Sequence, residues 1–524
     1  MPTLEWIGKD TVVNHHLDVP YRVLERKYSY DEAGQHDEDN GSENMIIHGD
    51  NLDALKALLP RYEGRVKCIY IDPPYNTGNE GWVYNDNVND PRIKKWLGEV
   101  VGKEGEDLSR HDKWLCMMYP RLKLLHRLLS EDGVIFISID DTELSYLRLI
   151  CDEIFHNFAE TVVWQKRTSP DARKKLSSGH EYVLIYTKNP DQNLGLKLLP
   201  LEGKDAEAYT NPDNDPRGPW ISSPFTAPGY RPNQMYPIIT PVGKAITPPK
   251  GRCWCNVEEV YQRLLSEGRM WFGADGNGVP RRKTYLSERE GRGVWTWWTN
   301  AEVGYTQIAT QELSDILGKA VFDYPKPVRL ISRIIQMASS DGDIILDSFA
   351  GSGTTAHAVL NMNKADGGNR KFILVEMMDY ADSITAERVK RVINGYGSGK
   401  QATEGTGGSF SYYELGDPLM IGDVLNEDVG VEKIREYVYF TDTKSRLPDA
   451  HVDEPYFMGV HVNSAYYFYY ERNSVTTLNR DFLHTIKTKA DAYVIYADLC
   501  MLSEAELEKY HITFKKIPRD ITRL

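Results

Sequence analysis

Two prolines follow an acidic residue at the end of an apolar run in residues 70–79, Tyr-Ile-Asp-Pro-Pro-Tyr-Asn-Thr-Gly-Asn. Proline has no backbone N–H and a φ fixed at about −65°, so a pair of prolines cannot extend a β-strand. A plain turn would form equally well from Asp-Gly or Asn-Gly. The sequence therefore predicts that Asp72, Pro73, Pro74 and Tyr75 hold chemical groups rigidly at the end of a buried strand.

A glycine-rich stretch at 347–359, Asp-Ser-Phe-Ala-Gly-Ser-Gly-Thr-Thr-Ala-His-Ala-Val, is the second motif that could do chemistry. Gly351 and Gly353 allow a tight turn and let a ligand approach the backbone closely. With Ala356 the stretch matches the dinucleotide pattern G-x-G-x-x-A, and Glu376 lies 23 residues after Gly353. Alone, this loop could hold NAD, FAD or another adenosine ligand, whereas a Walker phosphate loop would need a Lys after the second glycine.

Predicted strands and helices alternate around these motifs. Apolar runs predict strands at 45–48, 66–72, 134–140, 181–187, 343–347 and 371–376. The spacing of apolar residues predicts helices at 51–59, 113–129, 142–155, 327–339, 354–364 and 381–394. Pro120 is expected to kink or divide the helix at 113–129. The alternation predicts an α/β fold with a doubly wound, mostly parallel sheet.

Acidic residues stand at the predicted carboxyl ends of several strands. They are Asp50, Asp72, Asp140, Asp347 and Glu376. Ligands of open α/β sheets bind at that edge, and acidic acceptors suit a ligand that is rich in amino and hydroxyl groups. Asp50 is also placed to cap helix 51–59, and Asp140 and Asp347 are interpreted as turn or cap residues.

The Asp-Pro-Pro-Tyr and Phe-Ala-Gly-Ser-Gly motifs together resemble those of the DNA amino-methyltransferases, which methylate the exocyclic nitrogen of adenine or cytosine. The resemblance extends to Gly-Asp-Asn-Leu-Asp-Ala-Leu at 49–55, Pro-Lys-Pro-Val-Arg-Leu-Ile-Ser-Arg-Ile-Ile at 325–335 and Phe-Ile-Leu-Val-Glu at 372–376. The catalytic motif precedes the cofactor loop, as in the circularly permuted β class of that family. Residues 49–86 look most like the Mod subunits of type III restriction-modification systems.

The resemblance implies S-adenosylmethionine as the cofactor and a role for each motif. Asp72 and the backbone carbonyl of Pro73 would accept hydrogen bonds from the target amine, with Pro73 and Pro74 fixing the carbonyl, and Tyr75 would stack on a flipped-out base. Glu376 is expected to bind the ribose hydroxyls and Asp50 the adenine amine. The residues expected around the methionine part are Lys326, Pro327, Phe349, Ala350, Gly351, Ser352, Gly353 and Thr354.

The composition and the resemblance divide the chain into five segments. The irregular segment rich in Trp, Tyr and Arg occupies the place of the target-recognition region in this class, and a glycine-rich stretch at 394–409 indicates a linker. The predicted segments are an N-terminal extension at 1–44, a catalytic half at 45–189, a target-recognition insert at 190–320, a cofactor-binding half at 321–395, and a linker with a C-terminal α+β domain at 396–524.

The charge of the chain is unevenly distributed. A formal net charge of −14 argues against a protein that coats nucleic acid. Segment 164–175 nevertheless has five basic residues and one acid, and segment 281–293 has five basic residues and two acids. Such patches favour phosphate contacts confined to one groove, with an ordinary solvated face as the alternative. The candidate DNA-binding residues are Lys166, Arg167, Arg173, Lys174, Lys175, Arg281, Arg282 and Lys283.

The remaining composition predicts a cytoplasmic protein without a membrane span or a metal site. No apolar run approaches the roughly 20 residues of a spanning helix, and the first ten residues lack the pattern of a signal peptide. The 6 cysteines contain no C-x-x-C pair, which favours reduced thiols over a metal site.

The predicted function is N6-adenine methylation of double-stranded DNA in a restriction-modification or phage-defence system. Three alternatives stay open: N4-cytosine methylation, a nicotinamide oxidoreductase, and a specificity subunit whose main role is DNA binding. A second copy of the chain and a restriction or helicase subunit are the candidate protein partners.

Overall fold

The computed structural model describes most of the 524 residues. The described residues are 3–77, 110–191, 195–201, 203–318, 321–399, 402–422, 424–445, 447–448, 453–518 and 521. They form two compact units, one comprising Met1–Lys197 with Thr296–Leu524 and the other Leu198–Trp295. No described helix is long and apolar enough to cross a membrane.

An 11-stranded sheet forms the framework of the first unit. Its strands in chain order are β1 (Arg22–Asp31), β2 (Gly34–His36), β3 (Met45–His48), β4 (Val66–Ile71), β5 (Leu129–Ile139), β6 (Asn157–Gln165), β7 (His180–Thr187), β8 (Trp297–Trp298), β9 (Ile344–Asp347), β10 (Lys371–Glu376) and β11 (Phe410–Pro418). Their spatial order is β8, β6, β7, β5, β4, β9, β10, β3, β11, β1 and β2. Neighbours are parallel from β5 across to β11. Antiparallel pairs follow at both ends of this block, and the edge strand β8 pairs with β6 in parallel. The predicted α/β fold with a mostly parallel sheet is confirmed.

Helices flank the parallel block. They are α1 (Asn51–Tyr62), α2 (Arg110–Leu128), α3 (Leu144–Phe155), α4 (Thr306–Leu317), α5 (Val328–Ala338), α6 (Thr354–Asp366) and α7 (Glu387–Asn394). Helix α2 packs against both α1 and α3, whereas α6 packs against both α5 and α7. The two groups cover the sheet as in a doubly wound fold.

Burial on both faces explains why the central strands are continuous apolar runs. Every residue of β4 is buried. Ile69 and Ile71 of this strand share one core with Leu55 of α1 and Leu122 of α2. Successive side chains of a strand point to opposite faces, so Tyr70 points to the other side. Parallel strands that are covered on both faces have this pattern.

Helix α2 is not divided at Pro120, which corrects part of the prediction for this segment. The helix runs without interruption from Arg110 to Leu128 with Pro120 inside it. A proline removes one backbone hydrogen bond of a helix. Leu122 and Leu125 on the same helix are fully buried, and this burial offsets the loss.

The terminal segments contribute to the main sheet. β11 pairs with β3 in parallel and with β1 in antiparallel orientation. The first unit also contains a 4-stranded sheet formed by Phe457–His461, Ser464–Phe468, Ala492–Ala497 and Ile512–Lys516. Its further helices are Lys9–Val12, His15–Asp18, Asn300–Val303, Val431–Thr443, Arg480–Thr485 and Glu504–Lys509.

The second unit, Leu198–Trp295, lies within the segment predicted for target recognition. It contains a 3-stranded antiparallel sheet of Met270–Trp271, Arg281–Tyr285 and Trp220–Pro224, and the helix Glu258–Ser266. Its core consists of Phe225, Ile238, Trp254, Tyr261, Leu264, Met270 and Phe272. The unit therefore has a hydrophobic core of its own.

Candidate active site

The two predicted motifs leave neighbouring strands of the sheet. β4 ends directly before Asp72, and β9 ends at Asp347, directly before the glycine loop. The two strands pair in parallel, with Leu346 beside Ile69. Both loops therefore leave the same edge of the sheet, where open α/β sheets bind their ligands.

Asp72 is held by two hydrogen-bond donors. Lys326 Nζ donates to Asp72 Oδ2 at 2.6 Å, and Tyr75 Oη donates to Asp72 Oδ1 at 2.8 Å. The Lys326 ammonium also lies over the Tyr75 ring, 5.1 Å from its centroid. The resemblance implied a place for Lys326 beside the methionine part of a cofactor, but the structure places its ammonium group on Asp72.

The backbone of Lys326 connects the two motifs. Its carbonyl accepts a hydrogen bond from Thr354 Oγ1 at 3.2 Å, at the start of α6. Pro327, the next residue, is the N-cap residue of α5. The side chain of Lys326 is therefore fixed between the glycine loop and Asp72.

A buried acid that the sequence analysis did not select completes this group. Glu181 is 8% exposed. Its Oε2 lies 3.1 Å from Tyr75 Oη and 3.6 Å from Lys326 Nζ, and its Oε1 accepts from Lys166 Nζ at 2.9 Å. We call Asp72, Tyr75, Lys166, Glu181 and Lys326 the charged network. One signal in the sequence could have identified Glu181: it is a charged residue on the same face of β7 as the apolar Val183.

The charged network pairs two carboxylates with two ammonium groups. Burial raises the pKa of Asp72 above its ordinary value, repulsion by Glu181 adds to this, and Lys326 opposes it. Burial also favours neutral Glu181, but the attraction of Lys326 and Lys166 exceeds it and lowers the pKa of Glu181. Burial disfavours the charge of Lys326, but Asp72 and Glu181 outweigh burial and raise its pKa. Lys326 thus keeps its charge and compensates both acids.

A tryptophan fixes the diproline turn. Trp114 of α2 is fully buried, and its Nε1 donates to the Pro74 carbonyl at 2.7 Å. Within the described part of the chain, no donor binds the Pro73 carbonyl. The Pro73 carbonyl, in a buried residue next to Asp72, therefore keeps its acceptor positions unused by the described residues.

The glycine loop has a conformation that requires glycine at two positions. Gly351 and Gly353 have φ values of 51° and 79°. A Cβ on Gly351 would lie 3.1 Å from the Phe322 ring, and one on Gly353 would lie 3.0 Å from the Thr385 carbonyl oxygen. Thr385 Oγ1 also donates to the Gly351 carbonyl at 2.6 Å. The loop is thus closely covered by its neighbours.

Glu376 fixes the same loop from the adjacent strand β10. Its Oε2 accepts from Gly351 N at 2.7 Å and its Oε1 from Met378 N at 3.0 Å. Glu376 is 2% exposed, and burial raises its pKa to about 7. A carboxylate oxygen has two lone pairs, so these two backbone bonds leave acceptor positions on both oxygens.

Arg388 of α7 holds the interior side of the loop. Its Nη1 donates to Ser352 Oγ at 2.9 Å and to Thr354 Oγ1 at 2.8 Å. Phe349 and Ala350, which precede the glycines, are also buried. Buried neighbours thus fix this loop, and Gly351 is the one of its two glycines that stays partly exposed.

Asp50 has the capping role that its position predicted. Its Oδ1 accepts from Leu52 N at 2.8 Å and from Asp53 N at 3.4 Å. Buried Arg121 donates to Asp50 Oδ2 at 3.3 Å. The side chain of Asp50 is still 33% exposed, so a ligand amine can reach it.

Asp140 and Asp347 have the turn roles that the sequence predicted. Asp140 Oδ1 accepts from Thr142 N at 2.8 Å. Asp347 Oδ1 accepts from Phe349 N at 3.1 Å, and Thr355 Oγ1 donates to Asp347 Oδ2. Burial raises the pKa of Asp347 to about 7. Both acids organise the loops that follow their strands.

Five of the predicted DNA-binding residues are exposed. They are Arg167, Arg173, Lys174, Lys175 and Arg282. Arg173 is 88% exposed, although it forms an ion pair with Asp171 at 2.9 Å. These side chains are accessible to a phosphate backbone.

Two of the other predicted DNA-binding residues are bound within the protein, which corrects their assignment. Lys166 is 19% exposed and donates to Glu181. Lys283 is 4% exposed, donates to Asp215 at 2.9 Å and contacts Asp213. A buried lysine with two acidic partners is not available to a phosphate. These ion pairs could not be predicted from a run of basic residues in the sequence.

Arg281 is intermediate between these groups. Its Nε donates to Ser222 Oγ at 2.7 Å, and its Nη2 donates to the Ser222 carbonyl at 2.7 Å. These bonds orient the guanidinium group along the sheet of the second unit, and its side chain remains partly exposed.

Comparisons with known proteins identify the family of the chain. Residues 66–387 match the sequence profile of the DNA methylase family. The type III restriction-modification enzyme StyLTI Mod subunit of Salmonella typhimurium is 36% identical over 452 residues, covering 79% of this chain and 66% of that protein. The EcoPI Mod subunit of Escherichia phage P1 is 31% identical and covers 71% of this chain and 63% of its own length. The type II methyltransferase M.KpnI of Klebsiella pneumoniae is 32% identical and covers 64% of this chain and 81% of its own length.

Adjacent parallel strands that lead into the Asp-Pro-Pro-Tyr turn and the glycine loop at one edge define an α/β protein with an open sheet. The chain belongs to the DNA methylase family. It spans just under two thirds of the length of the two Mod subunits that it matches.

Proposed function

We propose that the chain is a site-specific DNA methyltransferase that transfers the methyl group of S-adenosylmethionine to the N6 amine of an adenine flipped out of double-stranded DNA. The observation that carries this proposal is the position of Asp72 and Pro73 beside the glycine loop, on neighbouring parallel strands. Membership of the DNA methylase family and the names of the matched methyltransferases support the same reaction.

The charged network suits the needs of an exocyclic amine. The lone pair of such an amine is delocalised into the ring, so the nitrogen must become more tetrahedral before it can attack a methyl group. Acceptors for both of its N–H groups favour that geometry. A carboxylate offers about four lone-pair positions, so Asp72 can accept from Lys326, Tyr75 and the amine together. The Pro73 carbonyl accepts the second N–H, and both acceptors are already in place before reaction.

Tyr75 is held for stacking on the extruded base. Its hydroxyl is anchored on Asp72 and faces Glu181, so the ring cannot turn freely. The Lys326 ammonium also lies over the ring, and this contact helps to hold the ring in one orientation for the base. A target atom inside a duplex is out of reach, so such a platform for an extruded base is required.

The residues at the sheet edge fit S-adenosylmethionine. When bound, this cofactor supplies an electrophilic methyl group on a positively charged sulfur. Glu376 accepts from the ribose hydroxyls, Asp50 accepts from the adenine amine, and the backbone at Gly351 lines the path between them. Ser348 Oγ is buried without a hydrogen-bond partner among the described residues and offers a further polar atom at this edge.

We also propose the biological setting from the matched proteins. Arg167, Arg173, Lys174, Lys175 and Arg282 hold the phosphates of double-stranded DNA in the bacterial cytoplasm. The chain acts in a restriction-modification system, with a restriction or helicase subunit and a second copy of itself as partners. N4-cytosine methylation is the second candidate reaction, because the name of the matched sequence profile includes both N6 and N4 chemistry.

Modified-base sequencing of DNA from cells that express this chain alone tests the proposal. We expect N6-methyladenine at one recognition sequence, and no modification in cells that express Asp72→Ala. Removal of one preorganised group costs about 10²–10³ in rate, so activity of the variant within about tenfold of wild type would refute the role of Asp72. Binding of S-adenosylmethionine should persist in this variant, because Asp72 contacts the amine.

A further inference from the structure

The loop between β6 and β7 carries the most exposed large apolar side chain of the described residues. Leu176 is 92% exposed. The loop is closed at its base by a hydrogen bond from Lys166 N to the Gly179 carbonyl at 2.9 Å. A leucine side chain that is almost entirely exposed to water is stabilised when it enters an apolar environment.

The turn that presents Leu176 is held by internal bonds. Lys174 N donates to the Asp171 carbonyl at 3.0 Å, and Asp171 N donates to Ser177 Oγ at 3.0 Å. Arg173 donates to both carboxylate oxygens of Asp171. These bonds close the chain on both sides of Leu176, so its side chain is displayed by an ordered turn.

The base of this loop adjoins the charged network. Lys166, the residue that closes the loop, donates through Nζ to Glu181, and Glu181 contacts the Tyr75 hydroxyl. The loop therefore starts and ends at the same sheet edge that holds the proposed platform for the flipped base.

The charge around Leu176 indicates which partner covers it. Arg173, Lys174 and Lys175 precede it directly, and all three are exposed. Such a cationic turn is attracted to a phosphate backbone. Proteins that deform DNA insert apolar side chains between bases, where the bases themselves provide the apolar surroundings.

We propose that Leu176 is a positioning residue that enters the base stack and fills the space vacated by the flipped-out target base. This inference rests on the proposed function. The three basic residues bring the turn to the duplex, and the leucine stabilises the extruded state by replacing the stacking that the target base loses.

Methylation rates on two duplexes test this role. Both contain the recognition sequence mapped in cells; one is fully paired, and the other has an abasic site opposite the target base. Flipping is less costly from the second duplex, so Leu176→Ala should lose roughly tenfold or more on the paired duplex and stay within about threefold of wild type on the other. Leu176→Met should stay within about threefold on both, because it retains an apolar side chain.

Fluorescence of 2-aminopurine at the target position reports flipping without turnover. It should rise on binding of the wild-type chain and rise less with Leu176→Ala. Met501→Ala is the matched control, because Met501 is 77% exposed on another part of the chain and should change neither readout.

Equal losses of rate on both duplexes, or no loss on the paired duplex, would overturn the proposed role of Leu176. A wild-type chain that methylates neither duplex would instead refute the proposed function, so the two failures are distinguishable.

Discussion

At the residue scale, Lys326 and Glu181 act on Asp72 in opposite directions. Lys326 lowers the pKa of Asp72, and Glu181 raises it. The ionised carboxylate is the better acceptor for the target amine. Lys326→Met should therefore shift the acidic limb of the pH–rate profile of methylation to higher pH. Glu181→Gln should shift this limb to lower pH.

Single-turnover rates measured across the acidic range check this pair of variants. Each variant is the control for the other, because a merely structural defect would lower the rate at every pH without moving the limb. Shifts of the same sign in both variants would contradict the charge relation between these three residues.

Site residues that lie in motifs could be predicted from the sequence. Site residues whose role depends on contacts in the folded protein could not. Asp72 and Gly351 could be selected because prolines and glycines have backbone requirements that show in the sequence. Glu181 stands in an ordinary strand, and its importance depends on Lys326, which is distant in the chain, and on Lys166, which follows the neighbouring strand β6. Pairing of this kind is a tertiary property.

At the scale of elements, the glycine loop makes a prediction about the cofactor. Gly351→Val should abolish S-adenosylmethionine binding, because its φ is positive and a Cβ would press on Phe322. Gly367→Val is the matched control, since Gly367 ends α6 with a φ of 71° and open space around it. The control should lose about 1–2 kcal/mol of stability from its left-handed backbone and still bind.

Isothermal titration calorimetry with both variants, after circular dichroism has shown that they are folded, provides the measurement. Unchanged affinity in folded Gly351→Val would show that the loop does not receive the cofactor. DNA binding should survive in both.

The elements themselves were largely predictable. The strand at 371–376 was predicted with the bounds it has, and helix α3 begins at Leu144 inside the predicted 142–155. Periodicity identifies such buried elements well. The continuity of α2 through Pro120 was not predictable, because it depends on the burial of the surrounding helix.

At the scale of the whole molecule, the proposed function requires an acidic chain to hold DNA through few contacts. Arg173, Lys174 and Lys175 replaced together by Ala should reduce the slope of log affinity against log salt by up to about 2.7, at roughly 0.9 per phosphate contact. Random and cognate duplexes should lose affinity about equally, since phosphate contacts carry no sequence information.

Titrations by fluorescence anisotropy at several salt concentrations give that slope. Lys489 and Lys509 replaced by Ala form the control, because both are exposed lysines on the C-terminal part of the chain. An unaltered slope in the triple variant would mean that the 164–175 segment is only a solvated surface.

The assembly of the sheet from distant segments was the least predictable feature. Residues 45–48 were predicted as a strand, but their partner β11 comes from 410–418, far along the chain. Strand pairing over such separations depends on side-chain packing in the folded protein, which a single sequence does not reveal.

Methylation of the N6 amine of adenine in DNA is the reaction that we propose for this chain. Incubation of the purified chain with unmethylated plasmid DNA and S-adenosylmethionine carrying a deuterated methyl group, followed by mass spectrometry of the nucleosides, measures the product directly. We predict labelled N6-methyldeoxyadenosine, absent with Asp72→Ala. Label in N4-methyldeoxycytidine would contradict adenine as the target base, and no label in any nucleoside would refute the proposed methyltransferase activity.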